Sequence, residues 1–457
     1  MQPESSCHVV AMPYPGHGHI NPMMNLCKLV AGKSNSILIT IVLTEEWLGL
    51  IGSTTKPDNI RFATIPNVIP SEHVRGSDPK GFVMAVWNKM EEPFERLLDE
   101  LQLAPTLIIA DVSVPWAADV ATRRNIPLAA LWPMSALLFS VIYHFDLIVE
   151  HGHFPVNLSV NGDDIIDYIP GLSPIRARDL PTIVRFKEES EYYLKFLLRV
   201  FDKAKCVVFT SIYEIESKAI EAMKAKASFS IYTIGPATTY FKVKDSHSST
   251  ISSNGDLNYM TWLNLQPPNS VLYISMGSYL SISTSQMEEI EAGLRGSGVR
   301  FLWVARGATM LRLQEICGEK GLVVPWCNQL SVLCHPSVGG FLSHCGWNST
   351  KEAILAGVPM LTFPIMNDQV PNAKMIVEDW KFGWRVKREF EEENLTTREE
   401  IKQLVQRFMS LESRERKQLE EKAKEIQKVC EREFADGGSF QNNIDSFTKS
   451  IVQHYPH

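Results

Sequence analysis

The segment PGHGHINP (15–22) follows the apolar run HVVAM (8–12) and presents a histidine, His19, just past what reads as a strand end. Two glycines permit a tight turn there, and Asn21-Pro22 reads as the N-cap and first residue of a helix. Histidine is the usual general base near neutral pH. Asp111 closes a second apolar run, TLIIAD (106–111), so its carboxylate can reach the same end of a sheet. A carboxylate behind an imidazole orients it and stabilises the imidazolium formed on proton uptake. His17 competes for this role and reads as secondary.

A second cluster runs from Trp326 to Gln369, WCNQLSVLCHPSVGGFLSHCGWNSTKEAILAGVPMLTFPIMNDQ. The strand GGFLSHC leads through Gly346-Trp347-Asn348-Ser349-Thr350 into the helix KEAILAG. Asn, Ser and Thr at such a junction read as helix-start residues whose side chains bond free backbone N–H groups. Those N–H groups and the helix dipole also favour an anion such as a phosphate. His344 adds a donor at the strand end, Glu352 offers a carboxylate to vicinal ribose hydroxyls, and Trp326 offers a face for a base. Their order within 44 residues points to a nucleoside diphosphate site.

This stretch resembles, almost position for position, the signature box of plant family 1 UDP-glycosyltransferases. The likeness continues through PYPGHGHINPMM, TIGP, SVLYISMGS, RFLWVAR and GGSFQNNIDSF. The resemblance implies a GT-B fold, in which two doubly wound Rossmann-like domains face each other across a cleft. It implies a uridine diphosphate sugar as donor and a small hydrophobic acceptor. Carried over by position, Trp326 stacks on uracil, and Cys327 contacts it through backbone atoms. Gln329 and Glu352 hold the ribose, and His344, Asn348 and Ser349 hold the diphosphate. The Trp347 backbone, Asp368 and Gln369 contact the sugar, while Gly277 and Ser278 line the phosphates. A final Gln in the box accompanies glucose, and the family's base and its partner carboxylate fall on His19 and Asp111. Two positions depart from the pattern: Pro133 replaces a common Thr, and Asn367 is bulkier and more polar than usual.

These residues need a scaffold, and the sequence supplies one. Apolar runs at 8–12, 37–43, 61–65, 106–111, 128–132 and 206–210 alternate with helical stretches such as 81–101. The rhythm restarts at 271–277, 300–306, 321–326, 339–345 and 358–364, with a helix over 284–296. Alternating strands and helices imply parallel sheets wound on both faces, which bind ligands at the carboxyl ends of their strands. The expected domains are an acceptor-binding domain (1–240), a Ser-rich linker (241–256) and a UDP-sugar domain (257–434). A terminal helix (435–457) is expected to pack back on the first domain, and the charged block 412–434 reads as a solvated helix face.

The chain has 457 residues and a net charge of −7, which gives no global field to draw it to nucleic acid. Neither GxGxxG nor GxxxxGK[ST] occurs, which weighs against a dehydrogenase and a P-loop enzyme. The eight cysteines form no CxxC pair, and most of them read as small buried hydrophobes in a reducing compartment. His151-Gly152-His153 lacks partners for a metal, so no metal site and no cofactor beyond the co-substrate UDP-glucose are expected. The uncharged run 126–145 is interrupted by Pro127 and Pro133 and reads as a strand, a turn and an amphipathic helix from Ser135. No secretory signal is apparent. Of the sequons at Asn157, Asn348 and Asn394, the second lies in the phosphate site, where a glycan would obstruct the donor. The expectation is a cytoplasmic, monomeric, metal-independent enzyme without stable membrane insertion. It moves glucose, with inversion, from UDP-glucose to a hydroxyl or carboxyl of a small hydrophobic acceptor, a plant secondary metabolite or hormone. The alternatives are a UDP-sugar hydrolase or epimerase with no acceptor, and a non-catalytic nucleotide-sugar-binding protein, against which His19 and Asp111 argue.

Overall fold

The computed structural model describes residues 7–52, 56–235, 259–277, 282–386 and 395–454. The expected linker 241–256, Ser278 and Asn394 lie outside them. The described residues fall into two compact units, one drawn from 1–178, 183–238 and 433–457, the other from 179–182 and 239–432.

In the first unit, strands β1 (Cys7–Met12), β2 (Ile37–Thr44), β3 (Ile60–Ile65), β4 (Leu107–Asp111), β5 (Leu128–Trp132), β6 (Cys206–Phe209) and β7 (Ser230–Thr233) form one parallel sheet. Their order is β3-β2-β1-β4-β5-β6-β7, so the direction of winding reverses between β1 and β4. Continuous apolar runs suit the central strands because both faces are covered. Val10, Met12, Ile108, Ala110, Ala130 and Trp132 enter one core, whereas Val9, Ala11, Ile109, Ala129 and Leu131 enter the other. The edge strand β3 is buried only at its two ends. The helix Ser439–His454 sends Ile444, Phe447 and Ile451 into the second core, and Asp445 meets Lys33 at 2.9 Å.

The second unit repeats the plan with β8 (Val271–Ser275), β9 (Arg300–Val304), β10 (Gly321–Val324), β11 (Val338–Ser343), β12 (Met360–Thr362) and β13 (Gly383–Arg385), again all parallel. The order β10-β9-β8-β11-β12-β13 reverses between β8 and β11. Helices Thr284–Ser297 and Arg398–Met409 pack together over its core, which Leu272, Ile274, Trp303, Leu342 and Leu361 build from the sheet.

Four local expectations need correction. The first helix begins at His17 rather than Pro22, which sits inside it. Its buried stripe starts at Ile20, and packing of that stripe outweighs the hydrogen bond that Pro22 cannot donate. The stretch 81–101 is two helices, Pro79–Lys89 and Glu91–Glu100, because Pro93 cannot donate to the Lys89 carbonyl. The helix Ala136–Tyr143 is buried on every face except at Tyr143, not amphipathic; Phe139 packs among Trp132, Phe201 and Phe209. The charged helix Arg414–Glu433 is no simple solvated face, since Arg416, Leu419, Ala423, Ile426 and Cys430 make a buried stripe at helical spacing.

Glu433, fully buried at the end of that helix, lies beside Glu214, and burial together with that second carboxyl raises its pKa to about 10. The unfolded chain ionises this group from about pH 4.5 upward while the folded protein keeps its proton, so the associated stability is present below pH 4.5 and is lost as pH rises towards 10. Glu433→Gln removes that loss. Urea denaturation should show the variant gaining on the wild type from pH 5 to pH 9, by at most about 1.4 kcal/mol per pH unit. Equal profiles would contradict the assignment.

Candidate functional site

In each unit one pair of candidate residues flanks the reversal of strand order, where neighbouring strands send their connections to opposite faces and leave a crevice at their carboxyl ends; Trp326, Cys327 and Gln329 follow the edge strand β10, and Asp368 and Gln369 follow β12. The first unit places His19 after β1 and Asp111 at the end of β4. Nδ1 of His19 donates to Oδ2 of Asp111 at 2.8 Å. Asp111 is fully buried, and its Oδ1 accepts from the Ser113 amide at 2.8 Å. The carboxylate thus sets the tautomer: with Nδ1 protonated, the imidazole presents the lone pair of Nε2. His19 keeps 22% of its side chain exposed, enough for a substrate to reach. It occupies the first turn of the helix, with its amide bonded to the Gly16 carbonyl at 3.0 Å. His17 instead sets its ring edge-on to Trp47.

Sequence reasoning missed what fixes this turn. Arg75, from the remote segment Glu72–Ser77, is buried and donates to the Pro15 carbonyl at 3.2 Å. It pairs with Glu72 at 3.0 Å and lies over the rings of Tyr14 and Phe82. Tyr14 in turn packs its ring 5.0 Å from that of His19. Gly16 has an extended backbone, so its glycine serves close approach rather than a tight turn: a Cβ there would stand 2.7 Å from Nη1 of Arg75. A lone arginine amid loop residues carries no sequence signal for such a role.

In the second unit, Gly277 follows β8 and His344 follows β11. Gly277 has φ +80°, and a Cβ on it would lie 2.7 Å from Nε2 of His344; a Cβ on Gly346 would lie 2.5 Å from the same atom. Two glycine backbones therefore approach the imidazole closely at Nε2. Burial pushes the His344 pKa down to about 4, opposed by a hydrogen bond with the Ser275 backbone, so the ring is neutral near pH 7. Cys345, next in the turn, adopts φ +67°, a left-handed conformation costly for a side chain with a Cβ. The helix then starts at Trp347, earlier than expected, with Gly346 as an N-cap that makes no side-chain hydrogen bond. Asn348 and Ser349 are thus second and third residues of the first turn, not caps, because Gly346 already closes the turn with its carbonyl.

Around this turn, Nε2 of Gln329 donates to Oε2 of Glu352 at 2.7 Å and to Oγ of Ser349 at 3.0 Å. Burial raises the Glu352 pKa, and the Gln329 hydrogen bond opposes that shift. Trp326 is 60% exposed, a large ring held at the surface beside buried Cys327. Asp368 accepts from Nδ2 of Asn372 at 3.1 Å, and that nitrogen also donates to the Cys345 carbonyl at 3.0 Å. Gln369 is buried, and its Oε1 accepts from the amides of Ile365 and Met366, which turns its Nε2 the other way. Asn367 has φ +51°, where Asn is among the better-tolerated residues, so local backbone geometry accounts for this departure. Its amide donates to Oγ1 of Thr182 at 2.9 Å, and Arg385 pairs with Asp179 at 3.0 Å, which seats residues 179–182 in this unit. Ser135, near Pro133, is buried and caps its own helix by accepting from the Leu138 amide. His151 and His153 both pack on Tyr168, and among the described residues no group of three or more His, Cys, Asp or Glu could hold a metal ion.

Gly277→Ala is the sharpest test of this packing. The new methyl must displace the His344 ring or strain the backbone, so UDP affinity measured by calorimetry should fall about tenfold or more. Unchanged affinity would show that His344 does not depend on that gap.

A family model described as UDP-glucoronosyl and UDP-glucosyl transferase matches residues 39–408. The chain is 49% identical to UDP-glycosyltransferase 87A2 of Arabidopsis thaliana, over 98% of both chains. It is 32% identical to a 7-deoxyloganetin glucosyltransferase of Gardenia jasminoides, over 97% of this chain and 98% of that one. Among solved structures, Os79 from O. sativa in complex with U2F and trichothecene superposes with a TM-score of 0.81 at 26% identity, covering 97% of this chain and 100% of that one. The two parallel sheets are those of the GT-B class. With the matched model spanning most of the chain and the Arabidopsis relative spanning nearly all of it, the chain belongs to the UDP-glycosyltransferase family.

Proposed function

We propose that this enzyme transfers glucose from UDP-glucose, with inversion, to a hydroxyl or carboxyl group of a small, partly apolar acceptor. The observation that carries the reading is the His19–Asp111 pair at the first reversal, taken with His344 closely approached by Gly277 and Gly346 at the second and with the Gln329–Glu352–Ser349 network in the same unit. Glucose as the sugar is supported by the closing Gln369 and by the name of the Gardenia relative.

Nε2 of His19 takes the acceptor proton while Asp111 steadies the resulting imidazolium. The acceptor oxygen attacks the anomeric carbon, and the bond from that carbon to the β-phosphate oxygen breaks with its electron pair on UDP. Trp326 and Cys327 hold the uracil, and Glu352 with Gln329 the ribose. Charge growing on the diphosphate meets the His344 donor, Asn348, Ser349 and the first-turn amides of Trp347–Ala356, donors that need no reorganisation. Asp368, Gln369 and the Trp347 backbone take the sugar hydroxyls, and Gly277 with Ser278 lines the phosphates. UDP leaves readily near neutral pH, so the chemistry asks for neither a general acid nor a metal.

The domains are proposed to act as an acceptor unit (1–240 with 435–457) and a donor unit (257–434) joined by 241–256. Among the described residues no helix is long and apolar enough to cross a membrane. A cytoplasmic, monomeric enzyme is the proposed setting; a fluorescent fusion found in the endoplasmic reticulum lumen would contradict it.

UDP release should depend on the acceptor across a panel of phenols, flavonoids, terpenoid alcohols and aromatic acids, and should persist in EDTA. Acceptor-independent release would favour a hydrolase, and loss in EDTA restored by magnesium would show a metal requirement. His19→Ala should lower turnover by about 10²-fold or more while UDP affinity stays near wild type. An acceptor that ionises unaided, such as a carboxylic acid, should lose less. Collapse of UDP affinity with turnover intact would place His19 elsewhere in the reaction.

A further inference from the structure

The Gln329 amide is the hub of the second site, and its orientation decides what Glu352 can do. Glu352 as a carboxylate only accepts, so the amide nitrogen must face it. A flipped amide would set Oε1 of Gln329 against a carboxylate oxygen at the 2.7 Å now spanned by a hydrogen bond. The other end of the amide is held from beneath. Tyr273, in the middle of β8, is 1% exposed, and its hydroxyl donates to Oε1 of Gln329 at 3.1 Å. The same hydroxyl lies 3.4 Å from Sγ of Cys327, and its ring packs 4.9 Å from that of Phe341 on the neighbouring strand. A tyrosine in the run VLYIS reads as core, and nothing in the reaction proposed above uses it.

We propose that Tyr273 is a positioning residue for ribose recognition. Its buried hydroxyl fixes the Gln329 amide with Nε2 toward Glu352 and Ser349. Glu352 is thereby held by one oxygen, and its other oxygen serves the vicinal ribose hydroxyls. Because the hydroxyl also meets Cys327, one group on the central strand ties the residue beneath the base to the residues beneath the ribose. This inference rests on the reading of the site as a uridine diphosphate site, with Glu352 on the ribose.

The test compares calorimetric affinities for UDP and for 2′,3′-dideoxyuridine diphosphate, which lacks the hydroxyls that Glu352 would hold. Wild-type protein should prefer UDP strongly; equal affinity for the two would overturn the ribose reading itself, and this proposal with it. In Tyr273→Phe, the buried Oε1 of Gln329 loses its donor, and UDP should bind about tenfold more weakly while the dideoxy compound changes little. The preference therefore narrows. Equal weakening of both ligands, or an unchanged preference, would overturn the proposal while leaving the ribose reading intact. Gln329→Met and the double variant Tyr273→Phe/Gln329→Met keep the test decisive should the single Phe variant fold poorly, since the double variant removes the Tyr273 hydroxyl and the Gln329 carbonyl oxygen together. If Tyr273 acts through Gln329, these two variants share one preference; a further narrowing in the double variant would show that it acts by another route.

Discussion

The pair of residues at the centre of each candidate site depends on the reversal of strand order beside the first strand of each sheet. Parallel strands need crossover connections, and crossovers to both sides of the first strand leave its carboxyl end uncovered. In the first unit the uncovered end lies between β1 and β4, which supply His19 and Asp111. In the second it lies between β8 and β11, which supply Gly277 and His344. One topological device thus positions the His19–Asp111 pair in one unit and Gly277 with His344 in the other. What differs is the local chemistry: a buried carboxylate beside the first histidine, two glycine backbones and no counter-charge beside the second.

That difference sets the roles of the two imidazoles. His19 is oriented by Asp111, so the lone pair of its Nε2 is aimed. His344 is desolvated and neutral, so no charge is buried with its ring. Left-handed backbone gathers at the same place, without cost at Gly277 and with strain at Cys345. The core that the second sheet builds holds these conformations in place.

Much of the site was legible because its residues sit in short ordered runs. His19 in PGHGHINP and the box from Trp326 to Gln369 are local patterns, and strand ends could be located from apolar runs that stop. Helix starts were less legible, since packing of Ile20 drew one helix upstream of Pro22, and Gly346 replaced the expected polar caps. Residues that act across the fold were not legible at all. Arg75 reaches the Pro15 carbonyl from 60 residues away, and residues 179–182 join the second unit although their neighbours belong to the first. Tyr273 hid for a different reason: a tyrosine on a central strand follows the β pattern whether or not its hydroxyl has work to do. Asn372, three residues past the box, reads as ordinary helix until its amide is seen bridging Asp368 and the Cys345 carbonyl.

The central claim is a direct displacement in which the oxygen deprotonated at His19 enters as UDP departs from the opposite face of the sugar. The stereochemistry of the first-formed product tests it most directly. Proton NMR of a reaction run from UDP-α-glucose should show only the β-glucoside, through the large coupling between axial protons at C1 and C2. An α-glucoside as the initial product would mean retention, and would contradict single displacement by an acceptor activated at His19.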